Sequence, residues 1–153
     1  MTKLAEALIL RADYQKRIEQ LRQRLTRNAK TQEGDRPAED PAALLAEIER
    51  IAADLAVLIQ RINRTNAATP LEGEGTLADA IATRDVLRLR HGIYNGLAGE
   101  ATAKQDRFTK SEIRFVSSVD VAEIQRQADD LARRYRELDT RIQALNWNID
   151  LLP

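Results

Sequence analysis

The chain has 153 residues with 24 basic and 24 acidic side chains, so its formal net charge is zero. That length fits a single domain with a real core, and the balanced charge leaves no global basic field to hold a nucleic acid. Hydrophobic residues make up 43% and charged ones 31%, aromatics only 4%, and the absence of cysteine excludes disulfides, thiolate metal sites and a cysteine nucleophile.

The segment Met1-Thr2-Lys3-Leu4-Ala5-Glu6-Ala7-Leu8-Ile9-Leu10-Arg11 is not read as a signal peptide, because Glu6 interrupts the approach to a short apolar run. No stretch approaches the ~20 apolar residues of a membrane span. A membrane partner is therefore not expected, and the chain is read as cytoplasmic. Arginine outnumbers lysine and alanine is abundant, a bias common in bacteria with GC-rich genomes.

The spacing of Leu4, Leu8, Ile18, Leu21 and Leu25 predicts a first helix over about 3–29, with Thr2 as its cap. Gly34 and Pro37 break it within 30–40. Asp40 followed by Pro41 is a strong start signal, since a proline at the first helical position loses nothing by lacking its N–H. Leu44, Ile48, Ile51, Leu55, Leu58 and Ile62 then alternate by three and four, giving a second helix over about 41–65. Residues 66–75, with Pro70, Gly73 and Gly75, read as a loop.

Thr76-x-x-Asp79 resembles a capping box and opens a third helix over about 77–103. Ala82, Val86, Leu89, Ile93 and Leu97 are taken as its core stripe, with Leu87 and Tyr94 beside it. Gly92, Gly96 and Gly99 are read as places where a neighbouring helix backbone comes close. From 104 to 119 the pattern changes to β-branched and aromatic residues, and a short strand is expected over 111–116. A lone strand leaves its backbone unpaired, so residues near 29–33 are expected to pair with those near 112–116, within one subunit or across two.

Asp120 with Glu123 forms a second capping box, and Val119 faces Ile124 as a hydrophobic staple. Val121, Ile124, Ala128, Leu131, Tyr135, Leu138, Ile142, Leu145 and Ile149 follow without a slip, on one face of a helix over about 121–149, roughly 42 Å long. Four helices of similar length predict an all-α fold: an antiparallel up-down-up-down four-helix bundle of long helices, with a short β element at one end.

Chemistry has few places to reside. His91 is the only histidine, position 88 is Arg rather than the Glu of a Glu-x-x-His pair, and there is no HExxH, Gly-rich phosphate loop or GxSxG elbow. No enzyme activity, cofactor or metal is expected. Arg11, Gln15, Arg84, Arg88 and His91 are polar positions on or beside helical seams, for which Asp13, Glu19 or Asp85 could serve as partners. Trp147 is read as a cap on the core. The basic-aromatic run with Arg107, Phe108, Lys110, Glu112, Arg114 and Phe115 is the candidate interaction surface. A subunit interface explains it with the fewest assumptions; nucleic-acid binding by charge and stacking is the alternative.

Leu4-Ala5-Glu6-Ala7-Leu8 with Arg11-Ala12-Asp13, Gln32-Glu33-Gly34, Ile62-Asn63-Arg64-Thr65-Asn66, Gln105-Asp106-Arg107, Ser111-Glu112-Ile113, Val119-Asp120-Val121, Arg136-Glu137-Leu138-Asp139 and Asn146-Trp147 occur in that order. Together they resemble a small bacterial family of uncharacterised helical proteins, some of whose members carry the label septicolysin. The resemblance spans nearly the whole chain and implies a helical fold. Its label suggests a membrane-active cytolysin, but it brings no catalytic residue. The residues themselves favour a non-enzymatic structural or interaction protein that forms a homo-oligomer through long coiled-coil-like helices.

Overall fold

The computed structural model describes residues 1–103 and 113–153. The fold is all-α with one short β element. The element order is α1 (Leu4–Arg27), α2 (Pro41–Ala68), β1 (Pro70–Leu71), β2 (Gly75–Thr76), α3 (Leu77–Thr102) and α4 (Val121–Asn148). Its helices form two compact units, one of Met1–Thr69 with Gln143–Pro153, the other of Pro70–Ile142.

In the first unit α1 and α2 run antiparallel: Arg17 pairs with Glu47 and Arg24 with Glu39, so positions fall along α2 as they rise along α1. Leu21, Leu44 and Ile51 form a buried cluster, with Tyr14, Ile18, Leu25 and Ile48 packed on it. The expected stripes of both helices therefore face the core. Asp40 caps α2 through its carboxylate and the Ala42 N–H, with Pro41 at the first turn as expected. The N-cap of α1 is Lys3 rather than Thr2. The Thr2 carbonyl is occupied elsewhere, accepting from the Leu151 N–H at 2.8 Å.

That bond belongs to a clasp of chain ends. Lys3 and Asp150 form an isolated antiparallel bridge, and the Leu4 N–H donates to the Ile149 carbonyl at 3.0 Å. The Lys3 ammonium reaches Asp150 at 2.8 Å and the Asn148 carbonyl at 3.2 Å. From α2, Arg61 and Arg64 donate to the carbonyls of Leu152 and Pro153, and the buried Thr65 hydroxyl accepts the Leu152 N–H. This use of Thr65 accompanies the extension of α2 three residues past its expected end, to Ala68. Asn146 is buried beside the same tail of α4, whereas Trp147 is 55% exposed and caps no core.

In the second unit the β element is a hairpin, not the strand expected at 111–116. Pro70 pairs with Thr76 and Leu71 with Gly75. Gly73 and Gly75 lie at φ +77° and +87°, which lets the chain reverse in so short a loop. A side chain at Gly75 would also place its Cβ 2.7 Å from the Asp79 carboxylate. That carboxylate and the Thr76 hydroxyl complete the predicted capping box of α3. Residues 113–117 are irregular and 111–112 lie outside the described residues. Residues 29–33 form no strand, so the expected pairing of 29–33 with 112–116 does not form within the chain among the described residues. The 30–40 connection is instead tied down by the Arg24–Glu39 pair and by the Glu39 N–H donating to Asn28.

Arg84 pairs with Asp139 and Arg88 with Tyr135, so α3 and the Val121–Ile142 part of α4 are antiparallel. Arg141 reaches back to Glu74 and the Glu72 carbonyl of the hairpin loop. The stripe of α4 is buried as its spacing predicts, with Ala128, Leu131, Leu138 and Ile142 at its centre. Asp120 accepts from the Glu123 N–H at the helix start. No helix among the described residues is long and apolar enough to cross a membrane.

Candidate interaction surface

α3 carries two stripes, each in three-four spacing. One is Leu77, Ala80, Arg84, Leu87, His91, Tyr94 and Ala98; the other is Ala82, Val86, Leu89, Ile93 and Leu97. The first faces inward: Leu77, Ala80, Leu87 and Ala98 are buried, and Arg84, His91 and Tyr94 are half-buried. The second, expected to be the core stripe, faces out. Val86 is 52% exposed, Leu89 63%, Ile93 61% and Leu97 41%.

The inversion has a local cause. A half-buried arginine is best held by partners, and Arg84 has two: Asp139 at 3.0 Å across to α4 and Asp85 at 3.0 Å beside it. Burial pulls the Arg84 guanidinium down, but the two carboxylates together outweigh it and hold the group above its ordinary value. Arg88 donates to the Tyr135 hydroxyl and lies 5.1 Å from the ring centroid, a cation–π contact. These polar ties fix which stripe meets α4. Asp85 was an expected partner; Asp139 and Tyr135, 55 and 47 residues away, were not.

The glycines of α3 correct a second expectation. Among the described residues nothing lies within 4 Å of a Cβ built at Gly92, Gly96 or Gly99, so no neighbouring backbone explains them. The helix nevertheless runs unbroken to Thr102.

At the C-terminal end of the outer stripe, Leu97 also lines a cleft of about 390 Å³ with Ala101, Phe115, Val116 and Val119. Of the residues singled out in the sequence, Arg114 and Phe115 are exposed here; Arg107, Phe108, Lys110 and Glu112 lie outside the described residues. Ile113, Phe115 and Val116 are all strongly exposed, so the apolar surface continues from α3 onto this segment. The Ser117 hydroxyl accepts the Val119 N–H and shapes the turn into α4.

A second cleft in this unit, about 320 Å³, is lined by Arg90, Tyr94, Glu123, Arg126, Asp130 and Arg134, among others. Its carboxylates are already committed: Glu123 to Arg126 and Gln127, Asp130 to Arg133. Among the described residues no group of three His, Cys, Asp or Glu side chains is placed to hold a metal. Among the described residues the surface singled out here is apolar and helical.

The outer stripe was legible as apolar but not as exposed. The signal that could have found it is the existence of the second stripe, whose polar members Arg84 and His91 made it the less obvious core.

Residues 11–151 match a family described as a family of unknown function (DUF6847). The chain is also similar to a solved structure, a functionally unknown conserved protein from Corynebacterium diphtheriae, with 44% identity over 99% of both chains and a TM-score of 0.93. None of the curated proteins matches. Neither description carries the septicolysin label.

Proposed function

The chain belongs to this family of unknown function, and from that premise we propose that it is a non-enzymatic interaction protein that self-associates in the cytoplasm. One observation carries the reading: α3 holds four large apolar side chains in an unbroken exposed row, Val86, Leu89, Ile93 and Leu97. Single exposed apolar residues are ordinary on a protein surface, but a contiguous row marks a place where another surface docks. The continuation through Phe115 and Val116 enlarges that patch and supports the interface reading of the 107–115 segment. A cysteine-free sequence fits a reducing compartment.

The test is sedimentation velocity across a wide concentration range, with Leu89→Glu beside the natural chain. Self-association that rises with concentration and is lost in the variant is the expected result. A natural chain that stays monomeric at every concentration overturns the reading. Helix content by circular dichroism shows that Leu89→Glu is still folded, as an exposed position predicts.

A further inference from the structure

We infer that two copies of this chain pair through the outer stripe of α3, with the two helices parallel and in register. The inference rests on the self-association reading above and adds the face, the partner and the orientation. Three features of α3 lead to it.

The stripe has the residue choice of a two-stranded parallel coiled coil. Taking Val86 as position a of a heptad, Ile93 is the next a, and Ala82, Leu89 and Gly96 are the d positions. Branched Val and Ile at a, with Leu at d, favour two parallel strands. Asp79 and Glu100 fall at the flanking a positions. Facing their own copies, they would repel, so they bound the seam to the stretch between them.

The charges beside the seam complement one another in this orientation. Asp85 falls at g and Arg90 at e of the following heptad. In a parallel pair a g residue faces the e residue five positions further along the other helix. Asp85 therefore meets Arg90 of the partner subunit, and the two-fold axis repeats the pair. In an antiparallel pair centred on Leu89 these two groups do not meet.

The glycines acquire a purpose. Gly92, Gly96 and Gly99 occupy g, d and g, and among the described residues no group lies within 4 Å of a Cβ at any of them. Each lowers helix stability by about 1 kcal/mol relative to alanine. Along the seam they let two helix backbones approach closely, and the exposed side chain of Leu97 then fills the space beside Gly96.

The natural chain contains no cysteine, so single thiols report the geometry without ambiguity. Ala82→Cys and Gly96→Cys are both exposed positions on α3. In the parallel pair each thiol lies opposite its own copy, within the Cα separation a disulfide needs. In an antiparallel pair centred on Leu89, position 96 faces position 82, and the two 96 thiols stand roughly 21 Å apart, too far to bridge. The variants are oxidised separately and as a mixture in a thiol–disulfide buffer, and sedimentation of the reduced proteins is measured alongside.

The expected result is 82–82 and 96–96 disulfides, about tenfold or more over the mixed 82–96 species. Mixed species in excess overturn the parallel orientation. Self-association in sedimentation with no disulfide at either position overturns the α3 seam while leaving the broader reading standing. A monomer at all concentrations removes both. A charge exchange adds a second readout: Arg90→Glu, and Asp85→Lys once circular dichroism shows that losing its pair with Arg84 leaves the helices intact, should each weaken the homodimer about two- to fivefold per pair, and mixing the two variants should restore affinity.

Discussion

The clasp of chain ends and the outer face of α3 are opposite solutions to the same problem. At the clasp, backbone groups that a chain terminus would leave to water are given partners: Thr2 with Leu151, Leu4 with Ile149, Thr65 with Leu152. Charged side chains reinforce it, Lys3 to Asp150 and Arg61 and Arg64 to terminal carbonyls. On α3 the backbone is satisfied within the helix, but among the described residues Val86, Leu89 and Ile93 are left more than half exposed. Polar groups close one region, whereas the apolar row of the other leaves it open to another surface. Hydrogen bonds are directional and saturate locally; hydrophobic surface does not, and it accepts whatever apolar face arrives.

The sharpest way to test that contrast is truncation on α3 itself. Leu87→Ala, on the buried stripe, should cost about 2–5 kcal/mol in urea unfolding, as should Leu21→Ala in the first unit. Leu89→Ala, two residues along the same helix, should change the stability of the dilute protein by less than about 0.5 kcal/mol. Equal costs for Leu87 and Leu89 would mean that the outer stripe is covered after all.

The clasp should yield to a smaller change. Thr65→Val keeps the side-chain volume but leaves the Leu152 N–H without its acceptor and removes the hydroxyl donating to the Arg61 carbonyl. A loss of about 1–3 kcal/mol is expected, with faster amide exchange at Leu151 and Leu152. Unchanged exchange there would show that the threonine does not hold the tail.

Glycine distinguishes the two regions in the opposite direction. Gly99→Ala should raise the stability of the dilute protein by as much as about 1 kcal/mol, because a Cβ there meets nothing within 4 Å among the described residues. A loss would point to a neighbour at that position.

Acid should act on the polar locks and spare the apolar row. Lys3 holds the Asp150 carboxyl below its ordinary range, Arg24 does so for Glu39, and the Thr76 N–H for Asp79. A depressed carboxyl contributes stability that is present above the ordinary value and lost as pH falls through the folded-state value. Tm should therefore stay nearly level from pH 7 to 5 and decline below about pH 4. A decline already complete at pH 5 would assign the effect to other groups.

Much of this was readable in the chain. Strict three-four spacing put α2 and α4 on their observed buried faces, because most of the large apolar residues of each helix lie on one side. Asp40-Pro41, Thr76-Asp79 and Asp120 marked helix starts correctly, because capping is decided within four residues. Local rules failed where a partner came from far along the chain. Lys3 rather than Thr2 caps α1, while the Thr2 carbonyl accepts from Leu151, and a loop with Pro70 and Gly75 became a hairpin beside the α3 cap. On α3 the sequence offered two stripes and periodicity alone chose the more apolar one. Tertiary structure chose the other: it buries Leu77, Ala80, Leu87 and Ala98, and Asp139 and Tyr135 on α4 give Arg84 and Arg88 the partners that allow a guanidinium to sit partly buried beside that stripe.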